Sequence, residues 1–344
     1  MDTFAKLSPV ERKAYIEETS NRRNTTTMII EKDFWVCWIL KHLFDLEEIP
    51  ELSFKGGTSL SKAFQLIQRF SGDIDVSLDR ASLGFCGARD LSNPGLSKAK
   101  RKQLDGELRL AIVKMVREVI LPRMLAALQT VLGTGGWQLT PAPEADDDMT
   151  LVFHYPTAFD HTTYLRPIIK IEFGRGDQQP SQRLSISPYV AEEFPDVFTA
   201  RGVTLTVLAC ERTFWEKVTL LHSEYHRPDF STMKPRMCRH WYDVAVMSTD
   251  SRFTDDKLDE ALLHQVIEFK DSHFPSSWAS YGTAVPGTLR IVPHPALEKI
   301  LREDFRQMKE MIWGEPISFE DVLARLRRLE DRTNARKTRG LSPT

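Results

Sequence analysis

The stretch from Phe54 to Leu78, FKGGTSLSKAFQLIQRFSGDIDVSL, changes its apolar period in mid-course, and this narrows the folds open to the chain more than any other feature. A short extended run, Leu52 to Lys55, stops at Gly56-Gly57, where residues without Cβ let the backbone turn tightly and bring its amides near a ligand. Leu60, Ala63, Phe64 and Ile67 then recur at three and four residues, the spacing of one buried helix face, with Thr58 or Ser59 placed to cap the helix. From Phe70 the period becomes two: Ile74, Val76 and Leu78 fall on one side, Ser71, Asp73, Asp75 and Ser77 on the other. In a strand this sets Asp73 and Asp75 side by side, about 7 Å apart at Cα.

Two like charges at that distance, beside a buried apolar row, repel one another and call for a cation. Magnesium, a hard ion that prefers carboxylate and phosphate oxygens, is the natural one. The glycine turn feeding a helix start supplies free N–H groups of the kind a phosphate needs. An Asp-x-Asp alone is common by chance, and Gly-Gly alone is usually a turn. In this order and at this spacing they point to transfer of a nucleotidyl or phosphoryl group.

The 344 residues suffice for two lobes, and 27% charged with 41% hydrophobic residues is ordinary for a globular protein. A net charge of −2 gives no global nucleic-acid signature, so any such surface is a local patch. The N-terminal MDTFAKLSPVERKAY has no apolar leader core, and no apolar run approaches the roughly 18 residues needed to cross a bilayer. Cys37, Cys86, Cys210 and Cys238 are far apart and form no CxxC pair. A reduced, cytoplasmic protein is expected, with the cysteines as small core residues and no membrane partner.

Ser8-Pro9-Val10-Glu11 is a capping box that starts a helix to about Thr19, and a second helix spans about Met28 to Leu46. Its opening Glu31-Lys32-Asp33 reads as a solvated first turn. Residues 80 to 97 are loop-like, and a helix from about Lys98 to Leu132 follows, bent near Pro122. Its basic start, Lys98, Lys100, Arg101 and Lys102, suits solvent or an RNA backbone. An acidic turn, 144 to 148, separates strand-like runs at Trp137 to Leu139 and Met149 to Tyr155. In the strand from Leu165 to Gly174, Ile169, Ile171 and Phe173 share one side, Lys170 and Glu172 the other. Beside the aspartate strand Glu172 becomes a third acid; otherwise Lys170 and Glu172 are an exposed pair.

A strand from Val203 to Leu208 leads into a helix from Glu211 to Tyr225, where Lys217 projects away from the core face of Phe214, Val218 and Leu221. After the loop 226 to 235, a further helix carries Arg236, Arg239 and Asp243 on one face, an arrangement suited to phosphate or to an internal ion-pair cluster. Cys238 and His240 lack partners at zinc spacing. Ser318 to Asp321 caps a last helix with Leu323, Leu326 and Leu329 inward, and Arg325, Arg327, Arg328, Arg332, Arg336, Lys337 and Arg339 make the end basic, a solvated tail or a contact for nucleic acid.

The segments EKDFWV (31 to 36), FKGGTSL (54 to 60), RFSGDIDVSL (69 to 78), IKIEFG (169 to 174), RTFWEKVTLLH (212 to 222), RHWYDV (239 to 244) and MIWGEPISFEDVLARLRRLE (311 to 330) run in the order found in AbiEii-type nucleotidyltransferases. The chain resembles that family of type IV toxin–antitoxin and phage-defence toxins over most of its length. The resemblance implies an α+β fold similar to polymerase-beta-like nucleotidyltransferases: a mixed-sheet lobe, 1–208, and a helical lobe, 209–344, closing the active-site cleft. It implies nucleotide transfer from NTPs, in several members to the tRNA 3′ end with arrest of translation, and a cognate antitoxin encoded nearby. It also implies that Asp73 and Asp75 hold magnesium, that Lys217 contacts nucleotide phosphates, and that Asp243 is an essential acid orienting Lys217 or the substrate. His240 stands where the family often has aspartate after the arginine.

The mechanism expected is attack of an RNA 3′-hydroxyl on the α-phosphate of an NTP. Asp73 and Asp75 are shared metal ligands, with Glu172 as third ligand or base. Gly56, Gly57, Thr58 and Ser59 cradle phosphates, and Lys217, Arg236 and Arg239 neutralise the leaving pyrophosphate. Ser71, two residues before Asp73, shares its face, and a phosphate there or on a hydroxyl near Thr58 would exclude the triphosphate. Transfer of AMP to a protein or small molecule, or action by binding alone, are the alternatives.

Overall fold

The structure, a computed structural model, describes the chain apart from residues 94, 144–147, 160–166, 177–179, 275, 315–316 and 339–344 and the side chains of 337 and 338. It forms two compact units: Met1–Phe64, Phe70–Asp90 and Gln103–Leu208 make the first, and Gln65–Arg69, Leu91–Lys102 and Ala209–Thr344 the second. Most of the acidic turn from 144 to 148, the start of the strand from Leu165, and Arg339 lie outside the described residues.

The first unit is built on a mixed sheet of β1 (Leu52–Lys55), β2 (Ile74–Leu78), β3 (Gln138–Pro141), β4 (Thr150–His154), β5 (Ile168–Arg175), β6 (Ser181–Ile186) and β7 (Val203–Leu208), in the order β3-β4-β5-β2-β1-β7-β6. β2 runs antiparallel to β1 and parallel to β5, and β1 runs parallel to β7. The even residues of β2 and the odd residues of β5 are buried, so Ile74, Val76, Leu78, Ile169, Ile171 and Phe173 form the apolar face.

With the sheet go α1 (Asp2–Ala5), α2 (Pro9–Arg23), α3 (Thr27–Phe44), α4 (Gly56–Lys62), α5 (Lys98–Met115), α6 (Leu121–Leu132) and α7 (Tyr189–Glu193). α2 opens on the full Ser8/Glu11 capping box and runs a turn beyond Thr19, to a left-handed Asn24. α3, capped by Thr26, is apolar on nearly every side and is buried accordingly; it packs on β5 and β7. Phe4, Phe34, Trp35 and Trp38 meet edge to face around it, at centroid distances of 4.7 to 5.3 Å.

α4 is shorter than the apolar spacing predicts. It ends at Lys62, and Gln65 at φ 54° turns the chain out of helix, so Phe64 and Ile67 are buried outside it. Neither Thr58 nor Ser59 caps it: the helix begins at Gly56 with Lys55 as an N-cap without a side-chain bond. Ahead of Pro122 the helix passes through a π turn, Val116–Ile120, directly before α6. β2 starts at Ile74 rather than Phe70.

The second unit carries α8 (Cys210–Tyr225), α9 (Cys238–Met247), α10 (Glu260–His273), α11 (Pro295–Met308) and α12 (Phe319–Asn334). α12 opens on a Ser318/Asp321 capping box and buries Leu323, Leu326 and Leu329. No helix among the described residues is long and apolar enough to cross a membrane. Cys37, Cys210 and Cys238 are buried, whereas Cys86 is exposed and no core residue.

Candidate active site

Register places the acids of the sheet. Lys55 pairs with Asp75 across β1 and β2, and Asp75 pairs with Glu172 across β2 and β5, so one row on one face reads Lys55, Asp75, Glu172. Adjacent strands lie about 4.8 Å apart. The Lys55 ammonium reaches Gly174, where a Cβ would stand 3.2 Å from Nζ. Asp75 is half-buried and Glu172 exposed, while Asp73 is half-buried just ahead of the strand. Among the described residues no three His, Cys, Asp or Glu side chains gather closely enough to hold a metal ion. The three carboxylates therefore sit on adjoining strands without closing into a ligand set.

The glycine turn is fitted to Asp75. Gly56 sits at φ 78°, and a Cβ there would overlap the Asp75 carboxylate, so both the dihedral and the contact require glycine. Thr58 and Ser59 are fully buried, and their hydroxyls are turned to backbone carbonyls. The Thr58 hydroxyl donates to the Asp73 carbonyl at 2.5 Å, and Ser59 donates to the Gly56 carbonyl at 2.9 Å. The first ties the turn to the aspartate segment, and the second closes the turn on itself. Burial likewise removes Thr58 as an accessible modification site, whereas Ser71 is half-buried.

The opening of α3, expected to be solvated, is not. Glu31 has no exposed surface and accepts from the Thr157 hydroxyl at 2.8 Å and the Ala158 amide at 2.6 Å. Asp33 meets the Lys62 ammonium at 2.8 Å and accepts from the Tyr189 amide at 2.7 Å. Burial opposes the charge on Lys62, but Asp33 outweighs it and holds the ammonium above its usual range. Lys62 also lies 3.6 Å from the centre of the Tyr189 ring. This pins the end of α4 to α3 and α7.

Lys32, between these acids, runs its stem over Gly72, where a Cβ would come within 2.5 Å of Lys32 Cε, and brings Nζ to 3.9 Å from Asp73 Oδ1. The sequence signal was there: three charges opening a helix otherwise apolar all round.

In the second unit, Asp243 on α9 has no exposed surface. It accepts from Arg69 Nε and Nη2, each at 2.7 Å, a bidentate pair, and Lys217 Nζ of α8 lies 3.0 Å from Oδ2. Lys217 is buried, not solvated. Burial would raise the Asp243 carboxyl, but Arg69 and Lys217 outweigh it and hold it below the usual carboxylate range. Burial lowers the Lys217 ammonium, with Asp243 opposing.

Burial, then the charges of Lys217 and Arg239, keep His240 neutral. Its Nδ1 lies 3.3 Å from Lys217 Nζ and its Nε2 3.5 Å from Arg239 Nε. A neutral ring accepts at one nitrogen only, so the contacts to Lys217 and Arg239 belong to alternative tautomers of the ring. Arg69 escaped the sequence reading because its partner lies 174 positions away.

Arg236 does not share this face. It precedes α9 at φ 65°, is exposed, and donates its amide to Asp304 at 3.0 Å. The left-handed Arg236 keeps α9 from starting before Cys238, leaving Arg239 as the arginine of the pair that reaches His240. Arg332 and Arg336 are not a free tail: Arg332 donates to the Ser248 and Phe253 carbonyls, and Arg336 to those of Leu258 and Asp255.

A family profile described as "Nucleotidyl transferase AbiEii toxin, Type IV TA system" matches residues 38–325. Among solved structures the chain is similar to MenT4, the nucleotidyltransferase toxin Rv2826c from Mycobacterium tuberculosis H37Rv, with 17% identity and a TM-score of 0.49 over 95% of this chain and 94% of that one. No curated protein matches in sequence.

Proposed function

This chain belongs to the AbiEii family of nucleotidyltransferase toxins, and from that premise we propose that it transfers a nucleotide from an NTP to the 3′ end of an RNA, tRNA foremost, with magnesium in the cytoplasm. The family's place in type IV toxin–antitoxin systems implies an antitoxin as partner and an NTP as substrate. The observation that carries the reading is the row Lys55, Asp75 and Glu172 beside a glycine turn moulded to the Asp75 carboxylate.

Asp73 and Asp75 offer hard oxygen donors of the kind magnesium prefers and would hold it, with Glu172 as third ligand or as base. When bound, the ion would screen the phosphates and favour ionisation of the attacking hydroxyl. The backbone at Gly56 and Gly57 would admit the triphosphate closely. The 3′-oxygen attacks the α-phosphorus, the bond from that phosphorus to the β-phosphate oxygen breaks, and pyrophosphate leaves. As the base, Glu172, the most exposed of the three acids, would take the hydroxyl proton. In the helical unit, Lys217 would contact nucleotide phosphates, with Asp243, 3.0 Å from its ammonium, orienting it.

The test is incubation with each labelled NTP, total tRNA and total protein, with and without magnesium. Label at the tRNA 3′ end that needs magnesium is expected. Label in protein would move the acceptor to a polypeptide, and no label anywhere would overturn transfer.

A further inference from the structure

A cavity of about 320 Å³ in the helical unit is lined by Ser248, Thr249, Arg325, Arg328, Leu329 and Arg332. Its three arginines fall at i, i+3 and i+7 of α12, one face of the helix, and Leu329 between them is buried as the apolar floor. They are not equivalent. Arg332 is committed to structure: its Nη2 donates to the Ser248 and Phe253 carbonyls at 3.3 and 2.9 Å, and its Nε lies 3.4 Å from Asp255. Arg325 and Arg328 make no hydrogen bond or ion pair among the described residues. Asp321, whose charge they feel, already accepts the Ser318 amide and hydroxyl in the capping box.

The hydroxyls across the cavity are not the donors for an incoming anion. Ser248 and Thr249 give their protons to the carbonyls of Ala245 and Val246, each at 2.8 Å. The donors on offer are the two unpaired guanidiniums, planar forks that match phosphate oxygens two at a time. Cations one turn apart on a helix destabilise one another until a counter-charge sits between them.

We propose that this cavity is a phosphate-binding site, with Arg325 and Arg328 as ligands and Arg332 as its fixed wall. Free nucleotide, pyrophosphate and the backbone of an RNA all present that group. The site stands on its own geometry, and only the RNA source rests on the proposed transfer reaction.

The full-length protein and its R325A/R328A variant are titrated with fluorescent RNA oligonucleotide, ATP and pyrophosphate at several salt concentrations. R327A, which removes an exposed arginine outside the cavity, is the control. Melting curves check that all three proteins remain folded. Loss of about tenfold or more in RNA affinity, with a salt slope shallower by about 1 to 2, identifies a backbone phosphate. An equal loss for ATP or pyrophosphate with RNA unchanged identifies the free ligand instead. Binding of all three probes within twofold of the parent, or an equal loss in R327A, overturns the site. If the variant loses binding while the parent transfers no label to RNA, the site survives and the proposed reaction does not.

Discussion

Asp75 and Asp243 both belong to segments that carry the family resemblance, yet they live in opposite surroundings. Asp75 lies half-exposed against a glycine turn, in a cross-strand row with Lys55 and Glu172. Asp243 has no exposed surface and meets two guanidinium nitrogens and an ammonium within 3.0 Å. A carboxylate that keeps solvent access stays available to a ligand from outside. One whose oxygens are all engaged shapes its neighbours instead. The first kind is costly to lose for chemistry, the second for folding.

The widest break in that contrast should come from Asp75→Asn. With its charge gone and its shape kept, transfer should fall about a thousandfold or more while stability changes by less than about 1 kcal/mol. Turnover measured beside urea denaturation checks both halves, and a large loss of stability would place Asp75 in the structural class. Asp243→Ala leaves Arg69 and Lys217 buried without their acid, and should destabilise the protein by about 3 to 5 kcal/mol. Pairing it with Arg69→Met should restore a good part of that loss. Failure of the double variant to recover would mean that the cluster is not held by charge.

A smaller effect sharpens the comparison from within the helical unit. His222, without exposed surface, accepts the Arg290 amide at Nδ1, 3.0 Å away, and its Nε2 faces the Thr283 hydroxyl at 3.0 Å and the Ser280 carbonyl at 3.2 Å. Burial, then the nearby His226, lowers its pKa to about 4. The folded state refuses a proton that the unfolded chain takes near pH 6.5, so stability is full above that pH and declines from there down to about 4, by about 3 kcal/mol in all. Melting temperature followed across that range should show the slope, and His222→Gln should flatten it.

Where one local rule governs, residues and outcome coincide. Alternation through Asp73 and Asp75 and the parity of Ile169, Ile171 and Phe173 were enough to turn Asp75 and Glu172 away from the apolar face, and strand pairing then set them side by side. Where distant partners decide, local pattern misleads. Glu31 and Asp33 look solvated until Thr157, Ala158, Lys62 and Tyr189 arrive from elsewhere in the chain. Arg69 stands next to the motif but serves an acid 174 positions on. β6, exposed along most of its length, has too little apolar alternation to announce itself as a strand. Arg236 was placed on a helix by spacing alone, and its left-handed backbone took it off again.

Among the described residues β2 is the fourth of seven strands, held by β1 on one flank and β5 on the other. To slide by a single residue it would have to break both ladders at once, and the slide would swing Asp75 through to the oily side of the sheet. Wear at the rims, at β3 or β6, can be tolerated without moving that carboxylate, so evolution is free to rework the margins of this molecule while its middle stays in place.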